Sequence, residues 1–326
     1  MTATLPVSPD LKDVQKARQL LSQYLPVTRL VEAPYLSQVS GARVHLKLET
    51  DLFTSSFKVR GALYSLSVNS GRRTINEVVA SSTGNHGAAV AYAAKLLGMK
   101  ATIFLPANCN PVKRARIASL GAEIVEKGTD IADAFRFAAD QAVSNPEIFF
   151  LNDATDPDLP CGPGVIGFEI LEQNPKIQSI YVPMGDTALI RGIAGVVKQI
   201  SPEVRIVGVQ SDRAPSYYLS WKKGEVVPTD SCNTIADGLA TRTPDQANVE
   251  EIRQIVDDII LVSETELLRA IETLLLEEHV LAEPAGAAST AALLKSSCKP
   301  DEEVALVVSG ANISRDVLRS ALRVGH

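Results

Sequence analysis

The chain has 326 residues, of which 45% are hydrophobic and 21% charged, and its formal net charge is −6 at pH 7. This composition is typical of a globular protein with one large or two modest domains, and the scattered basic residues argue against a nucleic-acid partner. No apolar run approaches the roughly 20 residues of a membrane-spanning helix, and the start of the chain lacks the pattern of a signal peptide. Four dispersed cysteines indicate free thiols, so we expect a cytoplasmic protein without disulfides.

Short β-branched runs alternate with amphipathic segments along most of the chain. This alternation predicts an α/β fold with mostly parallel sheets, and several runs are apolar throughout, as in strands covered on both faces. Ser263 is the predicted N-cap of a helix that begins at Glu264. Strands are predicted at Val44–Glu49, Glu77–Ser81, Ala101–Leu105, Ile148–Leu151, Ile180–Pro183, Val204–Val209, Ile259–Val262 and Val304–Val308. Helices are predicted at Leu11–Tyr24, His86–Leu97, Val112–Leu120, Ile131–Val143, Ala188–Gln199, Glu264–Glu277 and Ala285–Leu294.

The segment Ser56-Phe57-Lys58-Val59-Arg60-Gly61-Ala62 follows the first long predicted strand. A lysine among aromatic and small residues, where a strand meets a helix, suits an amine that loses its proton and acts as a nucleophile. The segment resembles the Schiff-base lysine region of the fold-type II pyridoxal-phosphate enzymes, and most of all the threonine/serine dehydratase and serine racemase branch.

The resemblance recurs in the family's order along nearly the whole chain. It implies the two-lobed, tryptophan synthase β-like architecture, with helices covering mostly parallel sheets. Residues 1–52 and 151–326 would form the large cofactor-binding domain, and residues 53–150 a small mobile substrate domain. Lys58 would hold pyridoxal 5'-phosphate, with Phe57 beside it.

A second motif, Ser81-Ser82-Thr83-Gly84-Asn85-His86-Gly87, follows a predicted strand. A strand-to-helix turn of this kind suits a carboxylate, although Ser, Thr and Asn are also ordinary helix caps. The resemblance assigns substrate contacts to its central residues and places Asn85 on the cofactor ring. Thr83 stands where racemases have a serine that delivers a proton opposite the lysine, and so is a second catalytic candidate. The implied substrate-binding residues are Ser82, Thr83, Gly84, Asn85 and His86.

A third motif opens the predicted helix at Ala188 and resembles the family's phosphate loop. Four glycines are usual where this chain has Gly185, Asp186, Thr187 and Ala188, followed by Leu189. Backbone amides and the helix dipole would hold the phosphate. We expect the Asp186 carboxylate to turn away or cap the helix, the Thr187 hydroxyl to donate to phosphate, and Arg191 to add a compensating charge.

Two further motifs complete the implied cofactor site. Ser309 ends a predicted strand in Ser309-Gly310-Ala311-Asn312, and the resemblance places its hydroxyl against the pyridine nitrogen. Glu283, in Glu283-Pro284-Ala285-Gly286-Ala287, would lie beside the ring. The loop Ala236-Asp237-Gly238 matches a family loop near the cofactor.

The segment Gly162–Gly167 satisfies the dinucleotide fingerprint G-x-G-x-x-G. That fingerprint requires a preceding strand and a close turn into a helix, whereas the residues before it are 156–160, with two prolines. We therefore expect no nicotinamide cofactor.

We also expect no metal site. Many enzymes of this branch hold a divalent cation with an acidic residue where this chain has Gln210. Hard cations need carboxylates, and Asp212 is the acidic residue nearby.

The resemblance implies a dehydratase that converts a 3-hydroxy amino acid such as L-threonine or L-serine into a 2-oxo acid and ammonia. Lys58 would remove the Cα proton, and the cofactor phosphate would protonate the departing hydroxyl group. Alternatives are a serine-type racemase, through Thr83, and a dehydratase of 3-hydroxyaspartate or a hydroxyectoine-derived substrate. A non-catalytic binding protein is a third alternative, because the glycine loop is altered. Many such enzymes are homodimers or homotetramers.

Overall fold

The computed structural model describes residues 9–107, 109 and 111–323. Two short 3-10 turns lie at Glu49–Asp51 and Asp237–Leu239. The strands are β1 Leu30–Glu32, β2 Arg43–Leu48, β3 Glu77–Ser81, β4 Lys100–Leu105, β5 Glu123–Glu126, β6 Ile148–Phe150, β7 Ser179–Pro183, β8 Arg205–Ser211, β9 Asp258–Val262 and β10 Glu303–Val308. The helices are α1 Leu11–Leu21, α2 Pro34–Ser40, α3 Lys58–Arg72, α4 Asn85–Leu96, α5 Pro111–Ser119, α6 Ile131–Ser144, α7 Cys161–Gln173, α8 Ala188–Ile200, α9 Ser216–Lys223, α10 Gln246–Ile255, α11 Glu264–Leu276, α12 Pro284–Lys295 and α13 Arg315–Ala321.

The strands form two sheets. The larger has the order β1-β2-β10-β7-β8-β9 and is parallel except for the antiparallel pair β1–β2. The smaller has the order β5-β4-β3-β6 and is parallel throughout. The predicted α/β fold with mostly parallel sheets is therefore confirmed.

Each predicted strand and helix has a counterpart, with ends that differ by a few residues at most. Ser263 caps α11, and its hydroxyl and the Glu266 carboxylate form a reciprocal capping box. The strands β1 and β5 were missed because they are only three and four residues long and each ends in a glutamate. The missed helices are α2, α3, α7, α9, α10 and α13.

Helix α7 shows why one of these was missed. Its sequence contains Pro163 and three glycines, which lower helix propensity and imitate a nucleotide-binding turn. In the fold the glycines lie inside the helix, and a Cβ at Gly162 would collide with the backbone of Arg60. The glycine therefore permits close packing of α7 against α3 and does not form a strand-to-helix turn.

The two sheets use different parts of the chain. All four strands of the smaller sheet lie within residues 77–150, and the larger sheet takes its strands from residues 30–48 and 179–308. The exact domain bounds and the mobility of the small domain stay predictions. Among the described residues, no helix is both long enough and apolar enough to cross a membrane.

The parallel strands direct their carboxyl ends toward the motifs. β3 ends at the Ser82–Gly84 turn, β7 at the Gly185 loop and β10 at Ser309. In open parallel sheets, ligands bind outside the carboxyl ends of the strands. The candidate site therefore lies at the expected edge of each sheet.

Candidate active site

Lys58 is the first residue of α3, and the segment just before it is joined to the end of β10 by backbone hydrogen bonds. The Phe57 N–H donates to the Ser309 carbonyl at 3.1 Å, and the Ala311 N–H donates to the Ser55 carbonyl at 2.9 Å. Two motifs that are far apart in sequence are thereby joined next to the lysine.

The Lys58 side chain is mostly buried and contacts a carboxylate. Its Nζ donates to Asp153 Oδ2 at 2.5 Å and lies 5.4 Å from the centre of the Phe57 ring. Burial lowers the pKa of the amine, but the charges of Asp153 and Asp186 outweigh burial and raise it. Lys58 is therefore an ammonium group in the ligand-free protein and must lose that proton before it can act as a base.

Asp153 was not anticipated from the sequence as a site residue. It follows β6, which pairs with β3, so its side chain reaches the same sheet edge as the Ser82–Gly84 turn. Burial alone would raise its pKa, but His86 and Lys58 together hold that pKa well below its usual range. The sequence signal for Asp153 is its place just after β6. That signal points to the site only once β6 is known to pair with β3.

Asn85 and Glu283 link three of the motifs. The Asn85 Nδ2 donates to Glu283 Oε1 at 2.5 Å, and the Asn85 Oδ1 accepts from Asn312 Nδ2 at 2.5 Å. The Glu283 N–H donates to the Gly310 carbonyl at 3.0 Å. Burial raises the pKa of Glu283 to about 7, although the hydrogen bond from Asn85 opposes this rise. Glu283 can therefore exchange a proton near neutral pH.

The Ser82–Gly84 turn leads into α4 with Gly84 as N-cap. The Ser82 hydroxyl accepts from the Gly84 N–H at 3.2 Å, and Thr83 is half-buried beside it. Within the described chain no side chain caps α4, so its first amide groups remain available to an anion. The turn thus suits a substrate carboxylate, as the second motif predicted.

The third motif forms a tight loop between β7 and α8. A Cβ at Gly185 would collide with the Gly238 carbonyl, so glycine is required where this loop meets the Asp237 loop. Thr187 adopts φ 68°, a left-handed conformation that is costly for a β-branched residue and free for glycine. Ala188 and Leu189 are buried. Thr187 therefore keeps a backbone conformation that a glycine at the same position would adopt without strain.

The polar side chains of this loop are held by other residues. Asp186 does not cap α8, since its Oδ1 accepts from the Thr241 hydroxyl at 2.8 Å. The Thr187 hydroxyl accepts from Arg191 Nε at 3.1 Å, and Arg191 Nη1 pairs with Glu251 at 3.1 Å. The compensating charge expected from Arg191 is thus largely neutralised by Glu251. Burial and the neighbouring Asp153 raise the pKa of Asp186, which favours its neutral form.

These residues fit pyridoxal phosphate in their donor chemistry. Lys58 offers the amine, Asn85 an amide and Ser309 a buried position at the end of β10. Among the described residues no side chain caps α8, which leaves its first N–H groups to a phosphate. The raised pKa of Asp186 reduces the repulsion that its carboxylate would exert on that phosphate.

The family follows from comparison with known proteins. The family model "Pyridoxal-phosphate dependent enzyme" matches residues 21–310, and the chain belongs to this family of cofactor-dependent enzymes. The L-threonine ammonia-lyase of Thermotoga maritima is 34% identical over 97% of this chain and 78% of its own length.

Solved structures agree with this assignment. Maize serine racemase has a TM-score of 0.89 at 28% identity, over 96% of both chains. Threonine deaminase isoform 2 from Solanum lycopersicum, in its processed form, has a TM-score of 0.90 at 26% identity, over 99% of this chain and 93% of that one. The fold-type II architecture, with pyridoxal phosphate as cofactor, is therefore confirmed.

The residues near the expected metal position make other contacts. Gln210 is buried, and its Oε1 accepts from the Tyr218 N–H at 3.0 Å. In the part of the chain that the structure describes, no three His, Cys, Asp or Glu residues are grouped to hold a metal ion. The predicted lack of a metal stays a prediction.

Proposed function

We propose that the protein is a dehydratase, or ammonia-lyase, that converts a 3-hydroxy amino acid such as L-threonine or L-serine into a 2-oxo acid and ammonia. The observation that carries this proposal is the position of Lys58: its segment is hydrogen-bonded to the Ser309 motif, and its amine lies close enough to Asp186 and Glu283 for their charges to raise its pKa. The L-threonine ammonia-lyase relative supports the same reaction class.

The side chains have distinct roles in this proposal. Pyridoxal phosphate, when bound through Lys58, supplies the electron sink that makes the Cα–H bond acidic. The free amine of Lys58 is the base for the Cα proton. The amide groups at the start of α4, with Ser82 and Thr83, bind the substrate carboxylate. Asn85, Glu283 and Ser309 orient the cofactor ring, and the loop from Gly185 to Leu189 binds its phosphate.

Glu283 and Asn85 act as one unit in this arrangement. Because the Asn85 amide donates to Glu283 and accepts from Asn312, its orientation is fixed before any ligand arrives. A fixed amide costs no reorganisation when the ring binds, which is the benefit of a preorganised site.

The test is release of 2-oxo acid and ammonia by the cofactor-loaded protein from L-serine, D-serine, L-threonine, allo-threonine and 3-hydroxyaspartate. We expect release from at least one L-amino acid, and a loss of about 10³-fold or more in Lys58→Ala. Lys16→Ala, at an exposed lysine of α1, is the control and should retain full activity. Lack of release from every substrate, or full activity in Lys58→Ala, contradicts the proposal.

Racemization is a second candidate because of Thr83. Its hydroxyl lies on the turn that opens α4, two residues before Asn85, and maize serine racemase has a similar structure. Chiral analysis of serine recovered from the same assay separates the two reactions. Thr83→Ala should abolish any racemization and retain elimination.

We also propose that the protein is a cytoplasmic homodimer or homotetramer, with residues 53–150 as a small mobile domain. The family resemblance of the motifs supports these proposals. Light scattering of the purified protein gives the mass of the assembly, and a monomeric mass contradicts the first of them.

A further inference from the structure

One buried threonine in the loop between β7 and α8 has a backbone conformation that its side chain disfavours. Thr187 is 2% exposed and has φ 68°. Within the described chain, the other non-glycine residues with positive φ are Ser55, His279 and Asp301, none of which has a branched Cβ. Because a branched Cβ makes this conformation especially costly, the surrounding contacts must hold Thr187 in it.

The residues just before Thr187 are fixed by contacts of their own. A Cβ at Gly185 would collide with the Gly238 carbonyl oxygen, and Asp186 Oδ1 accepts from the Thr241 hydroxyl at 2.8 Å. These contacts set the path of the chain up to Thr187 but involve other side chains. The Thr187 side chain itself is held by a separate contact.

Arg191 supplies that contact. It lies one turn further along α8, and because helical side chains lean toward the amino end of the helix, its guanidinium reaches back to the N-cap. The Arg191 Nε donates to the Thr187 hydroxyl oxygen at 3.1 Å. Arg191 is only 6% exposed, so water competes little for this hydrogen bond.

Glu251 fixes the same guanidinium from another side. This residue belongs to α10, and its Oε2 accepts from Arg191 Nη1 at 3.1 Å. The contacts with Glu251 and Thr187 use different nitrogens of one planar group, so together they fix both the position and the orientation of that group. A continuous set of contacts therefore leads from α10 through Arg191 to the loop.

We propose that Arg191 is a positioning residue for the phosphate loop and acts by holding Thr187 in its left-handed conformation. If Thr187 relaxed, the peptide groups that follow it would turn, and these carry the N–H groups that α8 offers to a phosphate. The pairing with Glu251 fits this role, because a supporting group needs a fixed position and not a free charge. The inference rests on the proposed binding of phosphate by this loop.

The test compares pyridoxal phosphate with pyridoxal, which has the same ring and aldehyde but no phosphate. In fluorescence titrations of the cofactor-free protein, we expect the wild type to bind pyridoxal phosphate at least about ten-fold tighter than pyridoxal. Arg191→Met should weaken the binding of pyridoxal phosphate about ten-fold and leave that of pyridoxal within about two-fold of wild type. Arg205→Met, at a surface pair with Asp258, is the control and should change neither.

Two substitutions of Thr187 separate support of the backbone from direct binding. Thr187→Val keeps the branched Cβ but removes the hydroxyl oxygen, so we expect the same loss of about ten-fold as in Arg191→Met. Thr187→Gly removes the hydroxyl and the strain together, so its affinity should stay within about two-fold of wild type. Similar losses in both variants would contradict the inference, because the hydroxyl would then contact the phosphate directly. This pair decides the question even if Arg191→Met does not fold.

A double variant separates support from charge. Arg191 Nη2 is buried and has no hydrogen-bond partner among the described residues, so its direct contact with the phosphate is the competing explanation. If Arg191 acts through Thr187, adding Arg191→Met to Thr187→Gly should change the affinity by less than about two-fold. A further loss of about ten-fold in the double variant would overturn the inference.

This inference and the proposed role of the loop fail in different ways. Equal affinity of the wild type for pyridoxal phosphate and pyridoxal would overturn phosphate binding by the loop, and the role of Arg191 with it. A clear wild-type preference that Arg191→Met leaves unchanged would overturn the role of Arg191 alone. Both results are independent of which amino acid the protein converts.

Discussion

Lys47 and Lys58 are both largely buried, but the groups around Lys47 suit a structural role and those around Lys58 suit a chemical one. Lys47 belongs to a closed ion cluster of two cations and two carboxylates: Lys47, Arg60, Glu49 and Glu169. The Lys47 Nζ donates to the Thr28 carbonyl at 2.7 Å, to Glu169 at 2.6 Å and to Gln173 at 3.3 Å. All three of its donors are used.

The Lys58 cluster, formed by Lys58, Asp153, Asp186 and Glu283, is open by comparison. It contains more carboxylates than cations, and its lysine has one short contact, to Asp153. His86 Nδ1, at its edge, has no hydrogen-bond partner among the described residues and lies 3.7 Å from Asp153 Oδ2. A balanced and fully bonded cluster stabilises a fold, whereas an unbalanced one has groups left for a ligand.

The pKa values of the two lysines shift in opposite directions. Burial lowers the pKa of Lys47 despite its carboxylate neighbours, whereas the carboxylates raise the pKa of Lys58 despite its burial. A lowered lysine pKa would therefore have pointed to the wrong residue. What distinguishes Lys58 is the excess of carboxylates around it and the neighbouring His86 Nδ1, which has no hydrogen-bond partner among the described residues.

The largest effect is expected at the centre of the closed cluster. Arg60→Met removes hydrogen bonds to both Glu49 and Glu169 and leaves two buried carboxylates with Lys47 alone. We expect the free energy of unfolding to fall by about 4–5 kcal/mol, measured by urea denaturation. Arg18→Met, at a surface pair with Glu172, should cost less than about 1 kcal/mol. A similar small cost at Arg60 would contradict the structural role of the cluster.

The two lysines can be compared with the same substitution. Lys47→Met should lower the free energy of unfolding by about 3 kcal/mol because it leaves Glu169 underpaired in the core. Lys58→Met should cost only about 1 kcal/mol, since Asp153 keeps some solvent and the neighbouring His86. The loss of activity should show the reverse order, larger in Lys58→Met than in Lys47→Met. A larger loss of stability in Lys58→Met than in Lys47→Met would contradict the distinction between the two clusters.

Glu283 makes stability depend on pH. Burial raises the pKa of its carboxyl to about 7 in the folded protein, against an ordinary value of 4.5, so folding favours the protonated form. The contribution is fully present below pH 4.5 and is lost as pH rises through about 7. For the cofactor-free protein we expect a loss of about 2 kcal/mol across this window that Glu283→Gln removes. An unchanged slope in the variant would show that another group titrates.

The smallest effect is expected at the phosphate loop. Asp186→Asn keeps a side-chain oxygen for the Thr241 hydroxyl and removes the carboxylate from the loop. We expect the Kd of pyridoxal phosphate to fall, by about two-fold, since the loop can no longer carry the part of the negative charge that the raised pKa of Asp186 leaves on its carboxyl. Fluorescence titration of the cofactor measures this change, with Asp212→Asn at an exposed aspartate as control. A weaker affinity would mean that Asp186 helps to bind the cofactor.

The sequence predicted the fold where local patterns decide it. The bounds of β3 were predicted correctly, because an apolar β-branched run ends there in a turn of small polar residues. Helix α7 was missed because its glycines serve contacts with α3 and α8, which involve residues far along the chain. Such tertiary demands override local propensity.

The site was predicted only in part, because tertiary packing also decides which residues meet there. Lys58, Asn85 and Glu283 lie in recognisable motifs, and the structure brings them together through Asn312 and the end of β10. Asp153 became visible only through the pairing of β6 with β3, which are separated by two other strands in the chain. The pairing of Arg191 with Glu251 likewise depends on the packing of α10 against α8.

The assignment of the Lys58 cluster as the active site is tested most directly by finding which lysine holds the cofactor. The pyridoxal-phosphate-loaded protein is reduced with borohydride, digested, and its peptides are analysed by mass spectrometry. We expect the added mass of the reduced cofactor on the peptide that contains Lys58 and none on the peptide that contains Lys47. Label on Lys47, on another lysine, or on no lysine at all would contradict the assignment of the open cluster as the active site.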